Sequence, residues 1–225
     1  MKITYFGHSC LKIETNQKTL IVDPFISGNP KASAIDINTI KADYILITHA
    51  HQDHVLDVET IAKNNDSIII SNHEIVTYYE QQGFRGHGMN HGGSNDFSFG
   101  RLKAVNAIHS SSFANGVNGG NPFGYVIEAN NKTVYLAGDT ALTMDMKLIP
   151  MFFKLDLAVL PIGGNYTMDV GEATVAADFV ECNRVLGVHY DTFPPIEIKK
   201  EKAIEFFKER DKTLILLDIG ENVTV

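Results

Sequence analysis

Thr48-His49-Ala50-His51-Gln52-Asp53-His54 follows directly on the apolar run Asp43-Tyr44-Ile45-Leu46-Ile47 and packs four metal-ligating side chains into six residues. The apolar run reads as a buried strand. On extended backbone just beyond it, alternate side chains project to one side, so His49 and His51 converge on a single ion. The chain then turns into the helix suggested by Val55, Leu56, Val58, Ile61 and Ala62, with Asp53 and His54 at its entrance, facing a second ion. A plainer reading exists for each residue alone, since a lone His or Asp at a strand end is ordinarily a surface group and Asp53 is a good helix cap. Crowded together at the end of a buried strand, these groups are costly unless paired or ligated. The segment therefore predicts a metal-dependent hydrolase.

Further ligand types occur where other strands end. His109 follows the run Leu102 to Ala107, Asp139 follows Tyr135-Leu136-Ala137-Gly138, and His189 follows Leu186-Gly187-Val188. Each is weak evidence alone, but loops beyond strand termini are the usual carriers of function on a rigid scaffold. Together with the first segment they complete a pair of metal sites. His8, in Gly7-His8-Ser9-Cys10, either points into the same pocket or satisfies loop backbone. Asp23, in Val22-Asp23-Pro24, either orients a ligand histidine from behind or is a turn residue. His73, His87 and His91 read as surface residues.

The 225 residues suffice for one substantial core, and a single domain spanning residues 1–225 is expected. Hydrophobic content of 44% with 20% charged residues is that of a soluble enzyme, and no apolar run approaches a membrane span. The amino terminus alternates like a strand and lacks the apolar block of a secretory signal, which points to the cytoplasm. Only Cys10 and Cys182 are present, so a disulfide framework and a Cys-x-x-Cys site are excluded. A net charge of −8 argues against passive nucleic-acid binding through a basic face.

Short strands are expected at Lys2 to Phe6, Leu11 to Glu14, Thr19 to Val22, Tyr44 to Ile47 and Ile68 to Ile70. A second set covers Leu102 to Ala107, Tyr125 to Ala129, Thr133 to Leu136, Leu157 to Leu160, Val185 to Val188 and Leu214 to Leu217. Asn130-Asn131 marks a tight hairpin, because Asn tolerates positive φ. Three- and four-residue apolar spacing predicts helices at Val55 to Lys63, Glu74 to Gln82, Met144 to Phe153, Glu172 to Cys182 and Lys199 to Glu209. Asp169 with Glu172 has the form of a capping box, and Gly83 stands where a helix terminator is wanted. This pattern suggests two sheets packed face to face with helices outside, an α/β (α+β) architecture.

His49-Ala50-His51-Gln52-Asp53-His54 with His109, Asp139 and His189 resembles the metallo-β-lactamase superfamily. Gly7-His8-Ser9-Cys10, Met89-Asn90-His91-Gly92-Gly93, Gly138-Asp139-Thr140 and His189-Tyr190-Asp191-Thr192-Phe193-Pro194-Pro195 are similar to its compact metal-dependent hydrolases, and these to L-ascorbate-6-phosphate lactonases. The resemblance implies a four-layer αββα sandwich with metals at one edge. It also implies that His49, His51 and His109 hold one metal, Asp53, His54 and His189 the other, and that Asp139 bridges them. Histidine-rich N/O ligation suits zinc first, with manganese, iron, nickel or cobalt as alternatives. The expected chemistry is hydrolysis by a hydroxide bridging two divalent ions, with Asp53 orienting the nucleophile. Protonation of the leaving group is left to His8, Tyr190 or a metal-bound water. The expected substrate is a small-molecule ester, lactone or related metabolite, with a phosphodiester or nucleic acid as the alternative. A di-iron oxidoreductase ranks lower because the flavodiiron proteins it would resemble place a carboxylate where this chain has His51. A non-catalytic binding protein is the remaining alternative. Ser27 to Asn38 and Ser110 to Gly124 are the expected pocket walls.

Overall fold

Along the central strands, successive buried residues go to different cores, and this alternation defines the layers. In the computed structural model, which describes residues 1–225, the first half supplies β1 (Lys2–Tyr5), β2 (Leu11–Thr15), β3 (Lys18–Val22), β4 (Tyr44–Leu46), β5 (Ile68–Asn72) and β6 (Arg85–Met89). The second half supplies β7 (Ser94–Phe97), β8 (Gly100–Asn106), β9 (Phe123–Ala129), β10 (Lys132–Leu136), β11 (Leu157–Pro161), β12 (Arg184–Val188) and β13 (Thr213–Ile215); β14 (Asn222–Thr224) returns to pair with β1. The two sheets run β14-β1-β2-β3-β4-β5-β6 and β13-β12-β11-β10-β9-β8-β7.

Each half starts as an antiparallel meander and continues as a parallel sheet. β1, β2 and β3 are antiparallel neighbours, whereas β3 to β6 are parallel. Likewise β7 to β10 are antiparallel and β10 to β13 parallel. Parallel neighbours need crossovers: α2 (Val58–Asn65), α3 (His73–Glu80), α4 (Val170–Phe179) and α5 (Lys200–Lys208) provide four, with the single turn α1 (Gln52–Val55) ahead of α2, and 3-10 turns carry the chain from β3 to β4 and from β10 to β11. The tight hairpins use positive φ, at Asn130 (55°) and Asn131 (58°) as expected and also at Asn16 (47°) and Gln17 (58°).

Ile13, Leu20, Leu46 and Ile70 of the first sheet meet Leu102, Tyr125, Ile127 and Leu136 of the second in a common core. The intervening residues Ile21, Ile45 and Ile69 face the other way, onto Val58, Ile61 and Ile75 of α2 and α3. On the far side, Val126, Tyr135, Ala158 and Val185 pack on Ala173, Ala176 and Ala177 of α4 and Phe207 of α5. Helix, sheet, sheet, helix is the order of layers. The capping box of α4 is formed, with Asp169 and Glu172 each accepting the other's backbone N–H, and Gly83 (φ +89°) follows α3.

Three expectations need correction. The helix over Met144 to Phe153 is only a 3-10 turn, Met144–Leu148, because Pro150 has no N–H to continue it. The helix over Val55 to Lys63 is broken after α1, at Leu56–Asp57, for a reason that belongs to the site. Strands β6, β7 and β14 escaped the periodicity. β6 carries two glycines, β7 is polar apart from Phe97, and β14 has one apolar residue among three.

Candidate metal centre

The parallel arrangement brings the C-terminal ends of β4, β8, β10 and β12 to one edge of the sandwich, where the loops carrying the ligand-type residues converge. Past β4 the chain stays extended to His51, then α1 begins, so His49 and His51 precede the helical turn while Asp53 and His54 lie within it. Asp53 does not cap α1. Asp139 leaves β10 through Gly138, whose φ is +65°, and a Cβ there would lie 2.9 Å from Thr48 Cβ, so only glycine fits. His189, beyond β12, is itself left-handed at φ 55°.

All seven residues of the expected ligand set, His49, His51, Asp53, His54, His109, Asp139 and His189, are brought together at this edge. Asp139 Oδ2 lies 2.9 Å from His189 Nε2, 3.3 Å from His54 Nε2, 3.7 Å from His109 Nε2 and 3.9 Å from His49 Nε2. On one side of it His49, His51 and His109 present donor atoms within 4.8 Å of one another; on the other Asp53, His54 and His189 do so, with His8 beside them. His49, His54, Asp139 and His189 are buried, while His51, Asp53 and His109 are half-buried and form the open side.

His8 is buried with both ring nitrogens engaged: Nε2 is 3.0 Å from Asp53 Oδ2 and Nδ1 is 2.9 Å from Thr192 Oγ1. Tyr190 is also buried, stacked on Tyr5 at 6.3 Å. His73 is exposed at the start of α3. His87 and His91 are half-buried rather than superficial, His87 edge-on to Phe97 at 5.0 Å and His91 Nε2 3.0 Å from the Pro122 carbonyl. None of these three joins the cluster.

A buried network sits behind the ligand-type residues. Asp23, left-handed at φ 44°, accepts from Thr48 N–H (2.8 Å) and the Thr48 hydroxyl (2.7 Å), and its Oδ2 lies 2.9 Å from His54 Nδ1. Because a carboxylate only accepts, His54 Nδ1 carries the proton and Nε2 is turned towards Asp139. The Thr48 hydroxyl has given its proton to Asp23, so at 3.0 Å it accepts from His49 Nδ1–H, leaving His49 Nε2 with a lone pair. Asp23 thus orients a member of each group.

Asp57 explains the broken helix. Its buried carboxylate accepts from Ile26 N–H (2.6 Å), Ser27 N–H (2.9 Å) and the Ser27 hydroxyl, which ties the loop after Asp23 to the start of α2. Of the expected walls, Ser110 Oγ lies 3.2 Å from His51 Nε2, and Ser111 Oγ accepts from Ala50 N–H at 3.1 Å. Sequence reading missed Asp57, and it placed Ser111 in a pocket wall and Thr192 in a motif without their partners, which are remote in the chain.

The electrostatics are those of a carboxylate surrounded by histidines. Burial lowers the pKa of His49, His51 and His109, favouring neutral, ligating rings. Burial would lower His54 too, but the charges of Asp139 and Asp23 outweigh it and hold its pKa well above 6.5. Burial would raise Asp139, yet His189 and His54 hold it well below the carboxylate range. Burial brings His8 to about 4 against the opposing hydrogen bond to Asp53. Three buried atoms of the cluster, His54 Nε2, Asp139 Oδ1 and His189 Nδ1, have no hydrogen-bond partner. Buried polar atoms are rarely orphaned, and a divalent cation would satisfy His54 Nε2 and Asp139 Oδ1 while relieving His54 of its proton. The donor set fits metal.

Residues 2–189 match the family model described as the β-lactamase superfamily domain, and the chain belongs to the metallo-β-lactamase superfamily. Within that superfamily it is an enzyme, a metal-dependent hydrolase. Proteins named UPF0173 metal-dependent hydrolase from Flavobacterium johnsoniae and Christiangramia forsetii are 63% and 58% identical to it, each match covering 99% of both chains. The solved structure of Igni18, a metallo hydrolase from the hyperthermophilic archaeon Ignicoccus hospitalis, superposes with a TM-score of 0.90 at 34% identity, over 100% of this chain and 97% of that one. No helix is long and apolar enough to cross a membrane.

Proposed function

We propose that the enzyme hydrolyses a small ester, lactone or related metabolite at a centre of two divalent cations, zinc first among them. His49, His51 and His109 would hold one cation, Asp53, His54 and His189 the other, and Asp139 would bridge them. The observation that carries this reading is the position of Asp139 Oδ2, within 3.9 Å of a nitrogen of each histidine group. When bound, such a cation pair would supply a water activated for attack at neutral pH and Lewis-acid polarisation of the electrophilic oxygen.

The chain's own residues do the positioning. Asp23 and Thr48 fix the tautomers of His54 and His49, so that nitrogen lone pairs face the centre. Asp53, whose side chain is 27% exposed, is the member of the second group that reaches the open side, and it orients the attacking water. Its carboxyl is held well below the usual range because the hydrogen bond from His8 and the charge of His54 overcome burial, so it stays an acceptor. His8 has no solvent-exposed side-chain surface and both nitrogens are occupied, so it acts on Asp53 and not on the substrate.

Metal quantification joined to a screen of lactones, esters and phosphodiesters tests the reading. Asp139→Ala is expected to lose metal from both positions and to abolish turnover. Unchanged metal content and rate would contradict the bridging role, and wild-type turnover confined to phosphodiesters would overturn the substrate class.

A further inference from the structure

We infer that Thr192 is a positioning residue of this centre: its hydroxyl anchors the His8 ring at Nδ1, and His8 in turn holds the Asp53 carboxylate towards His54 and His189. The inference rests on the reading of Asp53 as a metal ligand.

The argument follows the protons. Asp53 can only accept, so the 3.0 Å contact between its Oδ2 and His8 Nε2 places the hydrogen on Nε2. A neutral ring then offers a lone pair at Nδ1, and the group facing it is the Thr192 hydroxyl at 2.9 Å. The competing acceptor for that hydroxyl proton, the Tyr190 carbonyl, is farther away at 3.4 Å. The direction is therefore Thr192 O–H to Nδ1, then Nε2–H to Asp53. The receiving oxygen, Oδ2, is the one 3.9 Å from both His54 Nε2 and His189 Nε2. A carboxylate oxygen has a second lone pair, so it can take the His8 hydrogen and still serve a cation.

The ring has little room to choose otherwise. Phe25 and Phe193 stand edge-on to it at 5.5 Å each, the His189 ring lies 4.2 Å away, and the His189 N–H donates to the His8 carbonyl at 2.8 Å. One short loop therefore carries a ligand-type residue, His189, and the residue that sets His8. That loop uses left-handed backbone at His189 and Asp191 (φ 55° and 59°), and Asp191 Oδ1 fixes it by accepting from Ile198 N–H at 2.9 Å. Outer partners that orient ligating groups typically matter about 10–100-fold in metal affinity.

Long-range proton–nitrogen correlation spectra of the metal-free wild-type protein read the tautomer directly. The expected result is a His8 ring protonated at Nε2 only. A ring protonated at Nδ1 would make Nε2 a lone-pair donor and His8 itself a ligand, which overturns the inference whether or not any variant folds. In zinc titrations, Thr192→Val should weaken the second zinc by about 10–100-fold and leave the first in place. Thr192→Ser, which keeps the hydroxyl, should restore it. A valine variant with both zinc affinities unchanged would also overturn the role. Wild-type protein that takes up no second zinc, with the Nε2 tautomer present, would instead count against the two-cation reading.

Discussion

At the scale of single residues, burial lowers the pKa of His49, His51, His109 and His8, while histidine neighbours hold the Asp53 and Asp139 carboxyls low. This has a consequence for the metal-free protein. His49, His51, His109 and His8 have folded pKa values below 6.5, so the unfolded chain binds more protons at these positions as the pH falls through that value. Their contribution is fully present above 6.5 and is lost below it. His54 runs the other way, its contribution being present below 6.5 and lost as pH rises through its raised pKa, but it stands alone. Asp53 and Asp139, held low, add to the acid-side loss in the carboxylate range. Chelated protein should therefore melt at a lower temperature at pH about 5 than at pH about 7.5. Calorimetry showing equal or higher melting temperatures in acid would contradict this assignment of charge.

At the scale of elements, the break between α1 and α2 frees Asp57 to hold the loop carrying Phe25, and that loop covers His8. Asp57→Ala would leave the Ile26 and Ser27 N–H groups without their acceptor. The expected loss is about 1.5–3 kcal/mol of stability in denaturant unfolding, the range for hydrogen bonds to a charged group. A change below about 0.5 kcal/mol, as for an ordinary surface position, would show that the loop holds without it. The same element shows what sequence can and cannot convey. His49 to His54 were legible because their meaning is local, a cluster directly beyond a buried strand. His109, Asp139 and His189 were legible as polar residues at strand ends. Asp57 sits inside a helical apolar pattern, and its acceptor role depends on residues 30 and 31 positions away. Thr192 is 184 residues from His8, a pairing that exists only once the sandwich closes. Apolar spacing through Met144 to Phe153 misled in the opposite sense, since one proline cancels the helix the spacing favours.

At the scale of the whole molecule, the two sheets contribute to the centre from opposite sides. The first supplies His49, His51, Asp53 and His54 beyond β4, and the second supplies His109, Asp139 and His189 beyond β8, β10 and β12. The alternation that fills the inter-sheet core with Leu46, Tyr125 and Leu136 also fixes the register that brings these ends together. The cations would thus close the edge where the sheets meet, with Asp139 on the seam. Anomalous diffraction from zinc-loaded crystals is the most direct check. The predicted result is a pair of peaks about 3.5–4 Å apart on either side of the Asp139 carboxylate. A single peak, or peaks away from that carboxylate, would contradict the two-cation centre.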